Sequence, residues 1–203
     1  MTEVLLVDDH PLTNYGVASF FEETGRFHVT GQANSLGEAK SFIEETKKLP
    51  SLILLDIMLG EENGLDFIPF LKSHCRETRS GMPPVLVCSV LEDPFHIQTA
   101  LNLGAAGYIP KTGSKDELLN AIDTVLRGEV FISSGHSDKL SKSLGTYNQF
   151  TKRELEVLRL IKQNKSNQEI AKAMYISIRT VENHISNIYF KTGCTNRQEL
   201  ERL

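Results

Sequence analysis

The sequence predicts an α/β domain, an open doubly wound sheet of five parallel strands, followed by an all-α domain of four helices. Three observations support this. Short apolar runs alternate with helical patterns over the first 130 or so residues. After a polar stretch, the pattern becomes helical to the last residue. Charge also divides: ten Lys and Arg stand against six Asp and Glu from position 150 onward, and twelve against twenty before it. An acidic part joined to a basic part points to two jobs in one chain of net charge −4.

Glu3–Val7, Phe27–Ala33, Ser51–Leu55, Pro84–Cys88 and Gly107–Ile109 read as strands. Runs rich in Val, Ile and Leu without alternation suit strands covered on both faces, as in a parallel sheet. Leu12–Phe21, Leu36–Thr46, Leu65–Ser73, Phe95–Leu103 and Lys115–Arg127 read as the intervening helices. Pro11 stands where a first helical residue belongs. Ser35 and Ser114 are the expected N-caps of later helices. These repeated βα units imply the doubly wound sheet, and residues 1–128 form the expected first domain. Residues 129–149, rich in Ser, Gly, Lys and Asn, read as a linker with one short helix near Asp138–Leu144.

Residues 150–203 form the expected second domain. Thr151 with Glu154, and Ser166 with Glu169, are capping boxes. Leu155, Leu158 and Ile161 follow the first at helical spacing. Ser177 caps a third helix with Val181, Ile185, Ile188 and Tyr189 as its buried stripe, and Thr195–Gln198 opens a fourth. No basic stretch precedes an apolar run at the N-terminus, so no signal peptide is expected. No long apolar run predicts a membrane span. Cys75, Cys88 and Cys194 are too few and scattered for a disulfide framework or a zinc site, and read as reduced thiols of a cytoplasmic protein.

Ligands of an open α/β sheet bind beyond the carboxyl ends of its strands. Asp8 and Asp9 follow the first strand, Asp56 the third, Ser89 the fourth and Lys111 the fifth. Three carboxylates on one rim repel, and Lys111 offsets only one of them. A hard divalent cation is the natural remedy, and Mg²⁺ suits a few carboxylates with water and phosphate. A carboxylate is also a nucleophile able to form an aspartyl phosphate. Lys111 and Ser89 can then neutralise and hydrogen-bond the phosphoryl oxygens.

The segments VDDHP (7–11), LLDIML (54–59), Ser89 after VLVC and GAAGYIPK (104–111) resemble the receiver domains of two-component response regulators, over residues 3–127. The resemblance implies the flavodoxin-like strand order 2-1-3-4-5. It also implies Asp56 as phospho-acceptor, with Asp8, Asp9, Asp56 and the Met58 backbone carbonyl as Mg²⁺ ligands. Ser89 and Tyr108 are implied as switch residues and Lys111 as the phosphate-contacting lysine. The sequence departs from the family in two places. Gly60 stands where receivers commonly have Pro, and the stretch His74–Met82 before the fourth strand reads as longer than usual.

FTKRELEVLRLI (150–161) and SNQEIAKAMYISIRTVENHISNIYFKTG (166–193) resemble the LuxR-type helix-turn-helix domain of the NarL/FixJ family. In such motifs the second helix enters the major groove. The resemblance puts Glu182, Asn183 and Ser186 where the family reads bases, and Glu and Asn are chemically able to do so. Asn187 shares that polar face. Lys165, Ser166, Asn167, Arg179, Thr180 and Lys191 are candidate phosphate contacts. The implied protein is a transcription regulator rather than a turnover enzyme. A sensor histidine kinase would phosphorylate Asp56, and the phosphorylated form would act as a homodimer on double-stranded DNA, with no membrane contact. An aspartyl-nucleophile phosphohydrolase would share the pocket but needs a substrate cap, for which no segment is evident. A non-phosphorylated adaptor would not need all five pocket residues.

Overall fold

The computed structural model describes residues 1–92, 94–133, 150–192, 194 and 196–203, with Phe95 and Phe190 described by backbone alone. The chain divides into two compact units, Met1–Asp138 and Lys139–Leu203.

In the first unit, the strands are β1 (Thr2–Val7), β2 (Phe27–Ala33), β3 (Leu52–Leu55), a small hairpin of β4 (Met58–Leu59) and β5 (Glu62–Asn63), β6 (Val85–Ser89), β7 (Gly107–Pro110) and β8 (Phe131–Ile132). The helices are α1 (Pro11–Thr24), α2 (Leu36–Glu45), α3 (Phe67–Thr78), α4 (Pro94–Leu103) and α5 (Lys115–Leu126). The main sheet is parallel, with order β2-β1-β3-β6-β7-β8. The expected order is therefore present, but the sheet has six strands, not five. The sixth, β8, lies in the stretch read as linker. Its two residues are too few to show a period, and they pair parallel to Gly107 and Tyr108 of β7.

Every residue of β3 and β7 is buried, which is why those segments carry no polar alternation. Val4, Leu6, Leu52, Leu54, Leu86 and Ile109 pack with Phe21 of α1 and Ala121, Ile122 and Val125 of α5 on one face. Leu5, Ile53, Leu55, Val85 and Val87, equally buried, point to the other face because strand side chains alternate. Pro11 begins α1, and Ser35 and Ser114 accept from the backbone N–H of Glu38 and Glu117. The stretch His74–Met82 is mostly the last turn of α3, which continues to Thr78 and ends with Arg79 in the left-handed region.

The second unit contains α6 (Lys152–Lys162), α7 (Asn167–Met174), α8 (Ile178–Thr192) and α9 (Arg197–Glu201). Both capping boxes are formed. Val157, Leu158, Ile161, Ile170, Val181, Ile185, Ile188 and Leu200 make the buried core of this small bundle, and Tyr189 is half-buried. Leu155, expected on the buried stripe, is also only half-buried, while Val157 and Leu160 turn inward. Tyr175, in the left-handed region at φ 54°, makes the turn between α7 and α8. Asn196 caps α9. The helix expected near Asp138–Leu144, and Thr195 at the expected opening of the fourth helix, lie outside the described residues. No helix among the described residues is long and apolar enough to cross a membrane.

Candidate functional site: an acidic pocket and a polar recognition helix

The acidic rim assembles because β1, β3, β6 and β7 run parallel and end together. Asp8 follows β1 and is 7% exposed, and Asp56 follows β3 and is 2% exposed. Ser89, the last residue of β6, is fully buried. Lys111 follows β7, and its backbone N–H donates to the Ser89 carbonyl at 2.9 Å. Its ammonium donates to Asp56 Oδ2 at 2.7 Å and lies 2.6 Å from Asp8 Oδ2. Burial alone would lower the Lys111 ammonium. Its bonds to Asp56 and Asp8, with their charges, outweigh this and hold it above the ordinary lysine value. The lysine is therefore a fixed positive charge at neutral pH.

Among the described residues Asp56 Oδ1 is a buried acceptor with no hydrogen-bond partner, and Asp9 Oδ1, also buried, faces only the His10 ring nitrogen at 2.8 Å. Unsatisfied buried carboxylate oxygens are costly. Asp8, Asp9, His10 and Asp56 each offer a ligand atom within 4.8 Å of the others. This donor set fits a divalent cation, oxygen-rich as Mg²⁺ requires. Met58, in β4 close after Asp56, is 45% exposed.

Two residues that shape the pocket escaped the sequence reading, and a third was noted there only as a departure from the family. Buried Asn14 on α1 donates from Nδ2 to the Asp8 carbonyl at 2.7 Å and to Asn34 Oδ1 at 3.4 Å, tying the ends of β1 and β2 together. A single Asn in a helix gives no signal of this. Gly64 packs so closely that a Cβ there would overlap the backbone oxygen of Asp56. The third is Gly60, at the tip of the β4–β5 hairpin. Its N–H donates to Asp9 Oδ2 at 2.9 Å, and its φ is +61°. Proline has no N–H and a φ near −65°, so this bond exists only because the common family residue is absent.

Tyr108 is fully buried, and its hydroxyl donates to the Leu91 carbonyl in the loop after β6. The Leu91 N–H donates to Ser89 Oγ at 3.4 Å. Ser89 and Tyr108 thus engage the same short loop. Cys88 lines a small cavity with Asp8, Asn14 and Asp56 behind the rim. Burial pushes its thiol up to about 12, against a smaller opposing effect of Lys111, so it stays protonated.

In the second unit, Arg179, Glu182, Asn183, Ser186 and Asn187 are exposed along α8, opposite the buried Val181, Ile185 and Ile188. Their spacing of three and four residues makes one polar face. Thr180 is half-buried beside the cap Ser177, their hydroxyls 2.8 Å apart. Ser166 caps α7, and Asn167 Oδ1 accepts from Arg197 at 2.9 Å. Arg197 also donates to the Lys165 carbonyl. Lys191 is not brought to the exposed polar face. Its ammonium lies 2.5 Å from Glu154 Oε2, a carboxylate only 3% exposed, and near the Phe150 ring.

Comparison with known proteins agrees with both halves. The model of the response regulator receiver domain matches residues 4–123, and that of the bacterial regulatory proteins of the luxR family matches residues 148–203. The chain is 32% identical over 206 residues to the transcriptional regulatory protein LiaR of Bacillus subtilis, covering 98% of this chain and 94% of LiaR. It is 32% identical over 201 residues to the response regulator protein VraR of Staphylococcus aureus, covering 97% of this chain and 93% of VraR. The fold is similar to that of RcsB from Salmonella enterica serovar Typhimurium bound to the promoter rprA in the presence of a phosphomimetic. That match has a TM-score of 0.75 at 20% identity, covering 99% of this chain and 96% of RcsB. The chain therefore belongs to the two-component response regulators of the NarL/FixJ type, a receiver domain joined to a LuxR-type helix-turn-helix DNA-binding domain.

Proposed function

We propose that the chain is a cytoplasmic transcription regulator switched by phosphorylation of Asp56, with a sensor histidine kinase as donor. The observation that carries this reading is the state of the Asp56 carboxylate. It is buried at the end of β3, with one oxygen held by Lys111 and the other without a hydrogen-bond partner among the described residues. An Asp56 oxygen attacks the phosphorus of a phosphohistidine, the P–N bond breaks as the P–O bond forms, and the imidazole nitrogen takes up a proton. Lys111 stabilises the charge on the transferred group, and Ser89 donates its hydroxyl to a phosphoryl oxygen. Asp8, Asp9, Asp56 and the Met58 carbonyl would hold Mg²⁺, which when bound supplies positive charge against the carboxylates and the phosphoryl oxygens. Asn14 and Gly60 orient Asp8 and Asp9 for that task.

The output follows from the coupling of Ser89 and Tyr108 through Leu91. Drawing Ser89 toward a phosphoryl oxygen disturbs the loop on which the Tyr108 hydroxyl rests, and so the packing of α4, β7 and α5 around it. The phosphorylated protein acts as a homodimer on double-stranded DNA. Structures of the related RcsB, 22% identical, include two dimers bound to two parallel DNAs, which supports this assembly. Base reading is assigned to Glu182, Asn183, Ser186 and Asn187. Phosphate contacts are assigned to Lys165, Ser166, Asn167, Arg179 and Thr180, with Lys191 holding α8 to α6 as well.

Incubation with acetyl phosphate and Mg²⁺, followed by intact-mass measurement, tests the switch. One phosphoryl group is expected on the native chain and none on Asp56→Asn. An equal gain on both sinks the assignment.

A further inference from the structure

We propose that Arg197 is a positioning residue for DNA binding: from α9 it fixes the first turn of α7 and keeps the Asn167 amide N–H groups for a phosphate. The inference rests on the reading of Asn167 as a phosphate contact. Arg197 Nη1 donates to Asn167 Oδ1 at 2.9 Å, across 30 positions, and Nη2 donates to the Lys165 carbonyl. A guanidinium carries donors only, so it can hold the Asn167 amide by its oxygen and by nothing else. The other end of that amide, Nδ2, makes no hydrogen bond among the described residues. Of the two flips of the Asn167 side chain, the Arg197 bond thus selects the one that leaves both N–H donors to a ligand.

The groups on either side of the guanidinium are themselves fixed. The Lys165 N–H donates to the Leu160 carbonyl of α6 at 3.1 Å, just after Asn164 turns the chain at φ 57°. With its carbonyl held by Arg197, the Lys165 backbone is tied on both sides while the residue stays exposed. Arg197 is anchored by the fully buried Leu200 one turn on, and Glu201 Oε1 lies 3.6 Å from its Nε. The Arg197 side chain is 33% exposed. An amide and a backbone set in place before DNA arrives cost less ordering on binding. The short last helix thereby serves DNA binding through α7.

The full chain is compared with Asn167→Ala, Arg197→Ala, Arg197→Lys and the two double variants. Each binds a fluorescein-labelled duplex of random sequence at low salt, read by anisotropy, since a phosphate contact acts on any sequence. Circular dichroism checks that each variant is folded. Asn167→Ala is expected to weaken binding about threefold and Arg197→Ala about tenfold. Asn167→Ala is expected to add little on top of Arg197→Ala, because the oriented amide is already lost. Arg197→Lys keeps the charge but not the planar fork, so it is expected to weaken binding with the same coupling. It decides alone if Arg197→Ala does not fold. A tie that only docked α9 would lower the thermal midpoint and leave the two effects multiplying. Multiplying effects, or native affinity in either Arg197 variant, overturn the positioning role. Native affinity in Asn167→Ala overturns the reading of Asn167 as a phosphate contact, and this inference with it.

Discussion

At the scale of single residues, the rim is set by donors that fix one oxygen of each carboxylate. Lys111 does so for Asp8 and Asp56, and the Gly60 N–H for Asp9. Gly60 is the informative case, because its contribution comes from its backbone. At φ +61° it occupies the left-handed region that most side chains disfavour. Restoring the common family residue, Gly60→Pro, removes the donor and forbids that φ. The variant is expected to lose about 1–3 kcal/mol of stability, measured by urea unfolding. It is also expected to bind Mg²⁺ differently, since Asp9 Oδ2 is released. A variant as stable as the native chain, with unaltered Mg²⁺ affinity, would mean that the bond to Asp9 has no structural weight. Gly64 is constrained differently, by the backbone of Asp56 lying against its Cα.

At the scale of elements, the start of α6 concentrates several interactions on Glu154. It completes the capping box with Thr151 and accepts from Lys191 near the end of α8. Burial alone would raise the Glu154 carboxyl. The Lys191 bond and the Thr151 donors outweigh this and hold it below the ordinary carboxylate value. A carboxyl with a depressed folded-state pKa contributes stability that is present above its unfolded value. That contribution is lost as pH falls through the folded value. The helical domain is therefore expected to weaken below about pH 4.5, starting near the unfolded carboxylate value. Glu154→Ala is expected to cost about 2–3 kcal/mol at pH 7. Thermal unfolding followed by circular dichroism, native against variant, should show that cost shrinking as the pH is lowered. A pH-independent difference would assign Glu154 to packing alone.

At the scale of the whole molecule, the two units divide charge as they divide work. The acidic residues outnumber the basic ones before position 150, where the acidic pocket lies, and the balance reverses after it. Binding to DNA by the second unit should therefore fall steeply with salt. On the proposed reading, Arg179→Ala is expected to reduce the slope of log affinity against log salt by about 1, without changing which sequence is preferred. Asn183→Ala is expected to cost about 1–3 kcal/mol at one base position while leaving the slope alone. Fluorescence anisotropy across a salt series distinguishes them. A change of sequence preference in Arg179→Ala, or of slope alone in Asn183→Ala, would reverse the two assignments.

The sequence by itself determined whatever is encoded within a few neighbouring residues. The strands announce themselves because burial on both faces leaves no polar positions in β3 or in the Val4–Val7 run of β1. The capping boxes at Thr151 and Ser166 need only a partner three residues on. Asp8, Asp56, Ser89 and Lys111 were legible as a group because parallel strands end on one edge. Only the tertiary structure decided what depends on distant segments meeting. The two residues of β8 become a strand only beside β7. Asp9 meets Gly60 across 51 positions and Lys191 meets Glu154 across 37, so a surface lysine in the sequence is an interior tie in the fold. The reason is physical. Hydrophobic period and helix capping act through local geometry, whereas a backbone donor or an ion pair has no sequence signature until folding brings its partner within about 3 Å.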